Sequence, residues 1–273
     1  MDDICKNSNS KLLLTSSVAT FLASSASSAG AMQEALRVME TYRWQCVLFG
    51  GLLRDLFILG SSHKTRDIDL VVSGGSSEEI AAAFGGDTVK RTRFGGITVR
   101  RGEWLLDIWP LQETWAFSKM GMPTPTFSDL PKTTFLNVEA VAVDLCCRGN
   151  EERLVYEHGF FEAVGRRTIE INFEPNPYPL LCVVRSFVTA GRLSFRIGPR
   201  LMRFVSKSTE RVSTDELIAI QKSHYGHVRL TAESLHRFLR VISEAVDRDS
   251  SDSVELPISP MEKMALLQDV SVE

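Results

Sequence analysis

The stretch from Gln45 to Val72, QCVLFGGLLRDLFILGSSHKTRDIDLVV, constrains the fold more than any other. An apolar, strand-like run ends in Gly50-Gly51. A helix-like run follows, with Leu52, Leu56 and Leu59 on one face. In DIDLVV the alternation turns Ile68, Leu70 and Val72 one way and Asp67, Asp69 and Val71 the other. Two carboxylates therefore share one face of a strand. That is a site for Mg²⁺, a hard cation held by one or two protein carboxylates together with phosphate oxygens. The paired glycines let the backbone approach a polyphosphate, and the helix they open aims its N-terminus at the anion. A phosphate cradle beside metal carboxylates is the equipment of phosphoryl or nucleotidyl transfer. Lys64 and Arg66, just before the metal strand, are placed to neutralise phosphate charge, or else are solvated loop charges.

A third carboxylate is offered by WLLDIW. There Leu106 and Ile108 face the core and Asp107 shares the side of the metal site. An isolated acid inside such a strand is unfavourable without a partner. It is read as a third metal ligand or as an ion-pair partner of Arg100 or Arg101.

The remaining pattern places an α/β region first and helices second. A helix is expected over 31–42, another over SEEIAAAFGG, and a hairpin of GGITVRR with EWLLDIWPL turning near Gly102 and Glu103. KMGMPTPTFSDLPK is read as loop and TTFLNVEAVAVDLCC as a strand. After the prolyl boundary EPNPYP the pattern is helical to the end, with Thr214 and Thr231 as expected N-caps. The domains so read are a Ser/Ala-rich, partly disordered leader (1–30), a head (31–172) and a helical region (173–273).

A net charge of −3 removes any global electrostatic case for nucleic-acid binding. Asp2 and Asp3 stand where a signal peptide carries positive charge, and no apolar run reaches the length of a membrane span. The five cysteines (Cys5, Cys46, Cys146, Cys147, Cys182) form no C-x-x-C pair and are read as free thiols of a reducing, cytoplasmic compartment. The five histidines have no zinc spacing. Trp104, Trp109 and Trp115 are read as packing the core and its rim.

GGLLRDLFILG…RDIDLVV resembles the signature of the class II tRNA nucleotidyltransferase and bacterial poly(A) polymerase family, G-G-x-V-R-D followed by D-x-D. FLNVEAVAVDL is similar to a later strand of that family, R-R-D-F-T-x-N-A-x-A-Y-D-L, and VVRSFVTAGRLSFRI to its L-R-A-x-R-F-A-A-R-L-G-F-x-I helix. The resemblance runs from about 32 to 205. It implies a polymerase-β-like nucleotidyltransferase head, a mixed sheet with helices, followed by a small all-helical neck-like domain. It further implies that Gly50 and Gly51 contact the triphosphate of an NTP, and that Arg54 and Asp55 organise the turn and the nucleotide. Asp67 and Asp69 would hold Mg²⁺, and Arg185 would contact the nucleotide. The chain departs from the family at Lys132-Thr133-Thr134, which stand where the family has Arg-Arg-Asp.

In the helical region Arg196, Arg200, Arg203 and Lys207 have few acids among them. They are read as an RNA-backbone face or as a solvated one. The expected function is Mg²⁺-dependent transfer of a nucleoside monophosphate from an NTP to a hydroxyl acceptor, an RNA 3′ end. The alternatives are nucleotidylation of a protein or small molecule, and a binding module that keeps the fold without the chemistry.

Overall fold

A computed structural model describes residues 2–24, 27–60, 68–92, 95–102, 104–146 and 152–268. Lys64, Arg66 and Asp67 lie outside the described residues. The chain divides into two compact units, Met1–Thr134 with Val138–Phe161, and Phe135–Asn137 with Glu162–Glu273.

The first unit opens with α1 (Asp2–Ala23) and α2 (Ser27–Thr41), and then alternates strand and helix. β1 (Gln45–Phe49) leads through Gly50 into α3 (Gly51–Ile58), followed by β2 (Ile68–Ser73), α4 (Ser77–Phe84) and β3 (Thr88–Arg91). Next come β4 (Ile97–Arg101), β5 (Trp104–Pro110), α5 (Trp115–Met120), β6 (Val141–Asp144) and β7 (Val155–Glu157). The strands form one mixed sheet in the order β3-β4-β5-β2-β1-β6-β7, in which only β2 and β5 pair in parallel.

Register decides which residues share a face. Leu48 lies opposite Leu70, Leu70 opposite Ile108, and Ile108 opposite Ile97, so these four point the same way and are fully buried. On the other face Val47, Val71 and Ala142 join Leu111, Phe117, Phe127 and Leu130 in a second core, with Phe49 and Trp109 packed against it. Asp69, Asp107 and Thr98 lie on this second face. The stretch KMGMPTPTFSDLPK contributes Phe127 and Leu130 to that core; its first two residues close α5, and its end enters a 3-10 helix over Leu130–Thr133.

Two expectations differ from the structure here. The leader is helical over Asp2–Ala23, because Leu14, Val18 and Phe21 recur at helical spacing and bury one stripe against the unit. The strand read over 133–147 is confined to Val141–Asp144, with a 3-10 turn at Asn137–Glu139 in front of it.

The second unit takes α6 (Phe160–Arg166) from Glu162 onward, then β8 (Thr168–Ile169), α7 (Pro179–Leu193) and β9 (Arg196–Ile197), which pairs with β8 in parallel. α8 (Pro199–Thr209), α9 (Thr214–Tyr225), α10 (Ala232–Asp247) and α11 (Pro260–Gln268) complete it. Phe187, Leu201, Val205, Leu235, Phe238 and Ile242 form its buried interior. Thr231 caps α10 as expected, but α9 is capped by Ser213 instead of Thr214. Glu216 lies three residues beyond Ser213 and returns a bond to its amide, which completes a capping box. Among the described residues no helix is long and apolar enough to cross a membrane.

Candidate active site

The turn after β1 is built by Gly50. Its φ of 72° and ψ of −124° belong to glycine, since a Cβ would meet its own backbone there. Its amide donates to the carbonyl of Val141 (3.0 Å), and its carbonyl accepts from the amide of Arg54 (3.2 Å). The Gly50 amide is therefore committed to β6. The first-turn amides of α3, beginning with Gly51, have no acceptor within the helix. Gly51 is less demanding: a Cβ there would come no nearer than 3.6 Å to the Arg54 guanidinium, an ordinary contact.

Arg54 and Asp55 are buried, at 5% and 6% exposure. Arg54 Nε donates to Asp55 Oδ1 at 2.7 Å, and Nη1 to Glu139 Oε1 at 3.1 Å. This pair braces the turn from beneath, tying α3 to the segment that leads into β6.

Asp69 and Asp107 are register partners on the parallel pair β2–β5. They stand on neighbouring strands, about 4.8 Å apart in backbone spacing, and on the same face. Both are half-buried. The ion pair considered for Asp107 with Arg101 is not formed: the Arg101 guanidinium pairs with Asp87 and Glu34. Asp107 Oδ1 instead accepts a 2.5 Å hydrogen bond from the hydroxyl of Thr98, its register partner on β4. Asp69 Oδ1 accepts a 3.4 Å bond from the indole N–H of Trp109.

Two adjacent aspartates of this kind are hard-oxygen donors of the type Mg²⁺ takes. Among the described residues no group of three or more His, Cys, Asp or Glu side chains is placed to hold a metal ion, and Asp67 lies outside them. Thr133 and Thr134, where the family carries Arg-Asp, turn their hydroxyls to the carbonyls of Leu130 and Pro131, and Lys132 pairs with Asp129.

Sequence reading missed three residues of this site: Thr98, Trp109 and Glu139. Trp109 had a signal, since it follows Asp107 by two positions in a strand and so shares its face. Thr98 had one too, since a hairpin turning at Gly102 and Glu103 sets position 98 opposite 107. Glu139 is a single acid in the apolar run NVEAVAV, and only folding brings it to Arg54.

No protein-family model matches the chain, and no curated protein matches it in sequence. Solved structures do. A tRNA-processing enzyme in an apo form superposes with a TM-score of 0.53 at 19% identity, covering 76% of this chain and 55% of that one. A tRNA nucleotidyltransferase complexed with a primer tRNA and an incoming ATP analog gives 0.52 at 19% identity, over 77% of this chain and 62% of that one. The fold is that of a tRNA nucleotidyltransferase. A CCA-adding enzyme in an apo form gives 0.51 at 17% identity, with coverage of 85% and 63%. The chain thus spans about 55–63% of the length of these structures. It has the mixed α/β head expected from the glycine turn and D-x-D strand, followed by a helical region.

In the second unit Arg185 is half-buried on α7. Arg196, Arg200, Arg203 and Lys207 are exposed. The last three recur at i, i+3 and i+7 along α8 and therefore share one face. Among the described residues none of these four forms an ion pair; Arg196 and Arg200 donate to the carbonyls of Arg166 and Ile171.

Proposed function

We propose that this chain transfers a nucleoside monophosphate from an NTP to a hydroxyl acceptor, an RNA 3′ end, in a Mg²⁺-dependent reaction. The observation that carries this reading is the register pairing of Asp69 with Asp107 on one sheet face. Adjacent like charges on neighbouring strands repel, and a divalent cation shared between them offsets that repulsion. Asp67, two residues before Asp69, joins them as the third ligand in this reading. Held by these carboxylates, Mg²⁺ would supply charge neutralisation at the triphosphate.

The chain's own groups do the rest. The Gly50 turn exposes the amides opening α3, starting with Gly51, to the triphosphate. Arg54, Asp55 and Glu139 keep that turn fixed, which removes the cost of ordering it on binding. Lys64, Arg66 and Arg185 are assigned to the nucleotide. Arg200, Arg203 and Lys207, with Arg196 nearby, present a cationic row to an RNA backbone. The likeness to a structure solved with a primer tRNA and an ATP analog supports these two partners. A cytoplasmic setting is part of this reading, from the odd cysteine number and the lack of C-x-x-C spacing.

The test is to incubate the protein with each α-labelled NTP, Mg²⁺ and total RNA, and to follow where label goes. Label in RNA is expected, and Asp69→Ala should remove it while leaving the circular-dichroism spectrum intact. Wild-type transfer by Asp69→Ala would overturn the site. The replacement of Arg-Arg-Asp by Lys132-Thr133-Thr134, with both threonine hydroxyls turned to local carbonyls, favours a second reading: a nucleotide-binding module without transfer. NTP binding without label in any acceptor would select it. Label in protein instead of RNA would point to a protein acceptor.

A further inference from the structure

The two carboxylates of the proposed metal pair are each held by a neighbour to which no role attaches. Thr98 is 2% exposed, and its hydroxyl donates to Asp107 Oδ1 at 2.5 Å. Trp109 aims its indole N–H at Asp69 Oδ1 at 3.4 Å, a little longer than an ordinary N–H···O bond. All four residues stand on one sheet face, on three adjacent strands. The placement of Trp109 is not incidental. A Cβ on Gly96 would fall 2.7 Å from the indole carbons Cδ2 and Cε3, so the ring lies flat on bare backbone at that position. The same indole packs against the core of Val71, Phe117 and Phe127. Its direction is thereby fixed from below and from the side.

A carboxylate on a strand can rotate about its terminal torsion over a broad range. A directed donor on one oxygen favours one rotation over others and so biases where the other oxygen points. Groups behind metal ligands do this generally, and losing one costs about 10–100-fold in metal affinity or activity. We propose that Thr98 and Trp109 are positioning residues, which orient Asp107 and Asp69 for a shared divalent cation. This rests on the metal reading of the two aspartates. It goes beyond that reading because it assigns a function to a threonine and a tryptophan through the carboxylates they donate to.

The experiment is a titration of the full chain with Mn²⁺ alone, following the free ion by electron paramagnetic resonance, with thermal melts of each variant alongside. Thr98→Val keeps the shape and deletes the hydroxyl; Trp109→Phe keeps an aromatic ring and deletes the N–H. Each should weaken Mn²⁺ about tenfold or more. Thr98→Ser, which restores the donor, should recover most of the loss, a rescue that a purely packing role does not produce. Should Trp109→Phe melt early, the Thr98→Val and Thr98→Ser pair carries the test alone. Asp69→Asn separates the two layers of the reading. If it abolishes Mn²⁺ binding while Thr98→Val and Trp109→Phe bind like wild type, the metal site stands and the positioning inference is wrong. If Asp69→Asn itself binds like wild type, the metal reading fails and takes the positioning roles with it.

Discussion

At the scale of single residues, the informative group is the buried trio of Arg54, Asp55 and Glu139. A cation this far inside must be matched, and Arg54 is matched twice, once locally and once by an acid 85 positions away in sequence. Removing one member leaves the others charged and desolvated. Arg54→Ala should therefore destabilise the protein by about 3–5 kcal/mol in urea unfolding. Glu139→Gln keeps an oxygen acceptor and should cost less than half as much. Equal losses for the two would mean that charge at Glu139 matters more than its hydrogen bond. No loss for Arg54→Ala would mean that the trio does not brace the turn. Arg54 and Asp55 were marked in the sequence by the resemblance alone, whereas the third member was not, because nothing local marks Glu139 as their partner.

At the scale of elements, the helices of the second unit show how carboxylates are used structurally. The Glu170 carboxylate accepts from the amides of Arg200 (3.0 Å) and Leu201 (2.7 Å), closing the N-terminus of α8. An anion arriving at α8 must then use its side chains, not its helix end. The RNA reading consequently makes a salt prediction. Each phosphate contact contributes a slope of about −0.7 to the log–log dependence for single strands, so four contacts lose roughly tenfold or more across a fourfold rise in salt. Reversing Arg200 and Arg203 to Glu should lower both RNA affinity and slope in filter binding, with NTP affinity unchanged. A salt-insensitive interaction would exclude this face.

Glu262 makes a second prediction at this scale. Burial pushes its carboxyl up, but bonds from Ser234, from the Ser259 amide and hydroxyl, and from Arg237 outweigh burial and bring it down to about 2. A folded value below the ordinary 4.5 means that the ionised form stabilises the fold. That contribution, roughly 2–3 kcal/mol at most, is complete above pH 4.5 and is lost as pH falls toward 2. Glu262→Gln should flatten the acid limb of the stability profile between those values. An unchanged limb would show that α11 does not depend on the charge.

At the scale of the whole molecule, the first unit includes the N-terminal helix. Leu14 and Val18 are fully buried and Phe21 nearly so, and α1 packs on α2 and α3. Leu14→Ala should cost about 2–5 kcal/mol, the range for a buried leucine, read as a shift in the urea midpoint. A neutral result would return the segment to a detached leader. Leu14, Val18 and Phe21 keep helical spacing past Ser16 and Ser17, and their burial holds the helix on the unit.

What the sequence determined by itself is local and periodic. Alternation in DIDLVV and WLLDIW assigned Asp69 and Asp107 to one face of their strands, and the Gly50 turn followed from a backbone conformation that side chains forbid. Those features depend on neighbours in the chain, which a sequence displays directly. What only the tertiary structure decided is lateral: that β2 and β5 pair in parallel with Asp69 level with Asp107, and that Glu139 closes on Arg54. Each is a contact between segments remote in sequence. Such contacts are set by strand register and by burial of both sheet faces together, and no single segment carries the information that fixes them.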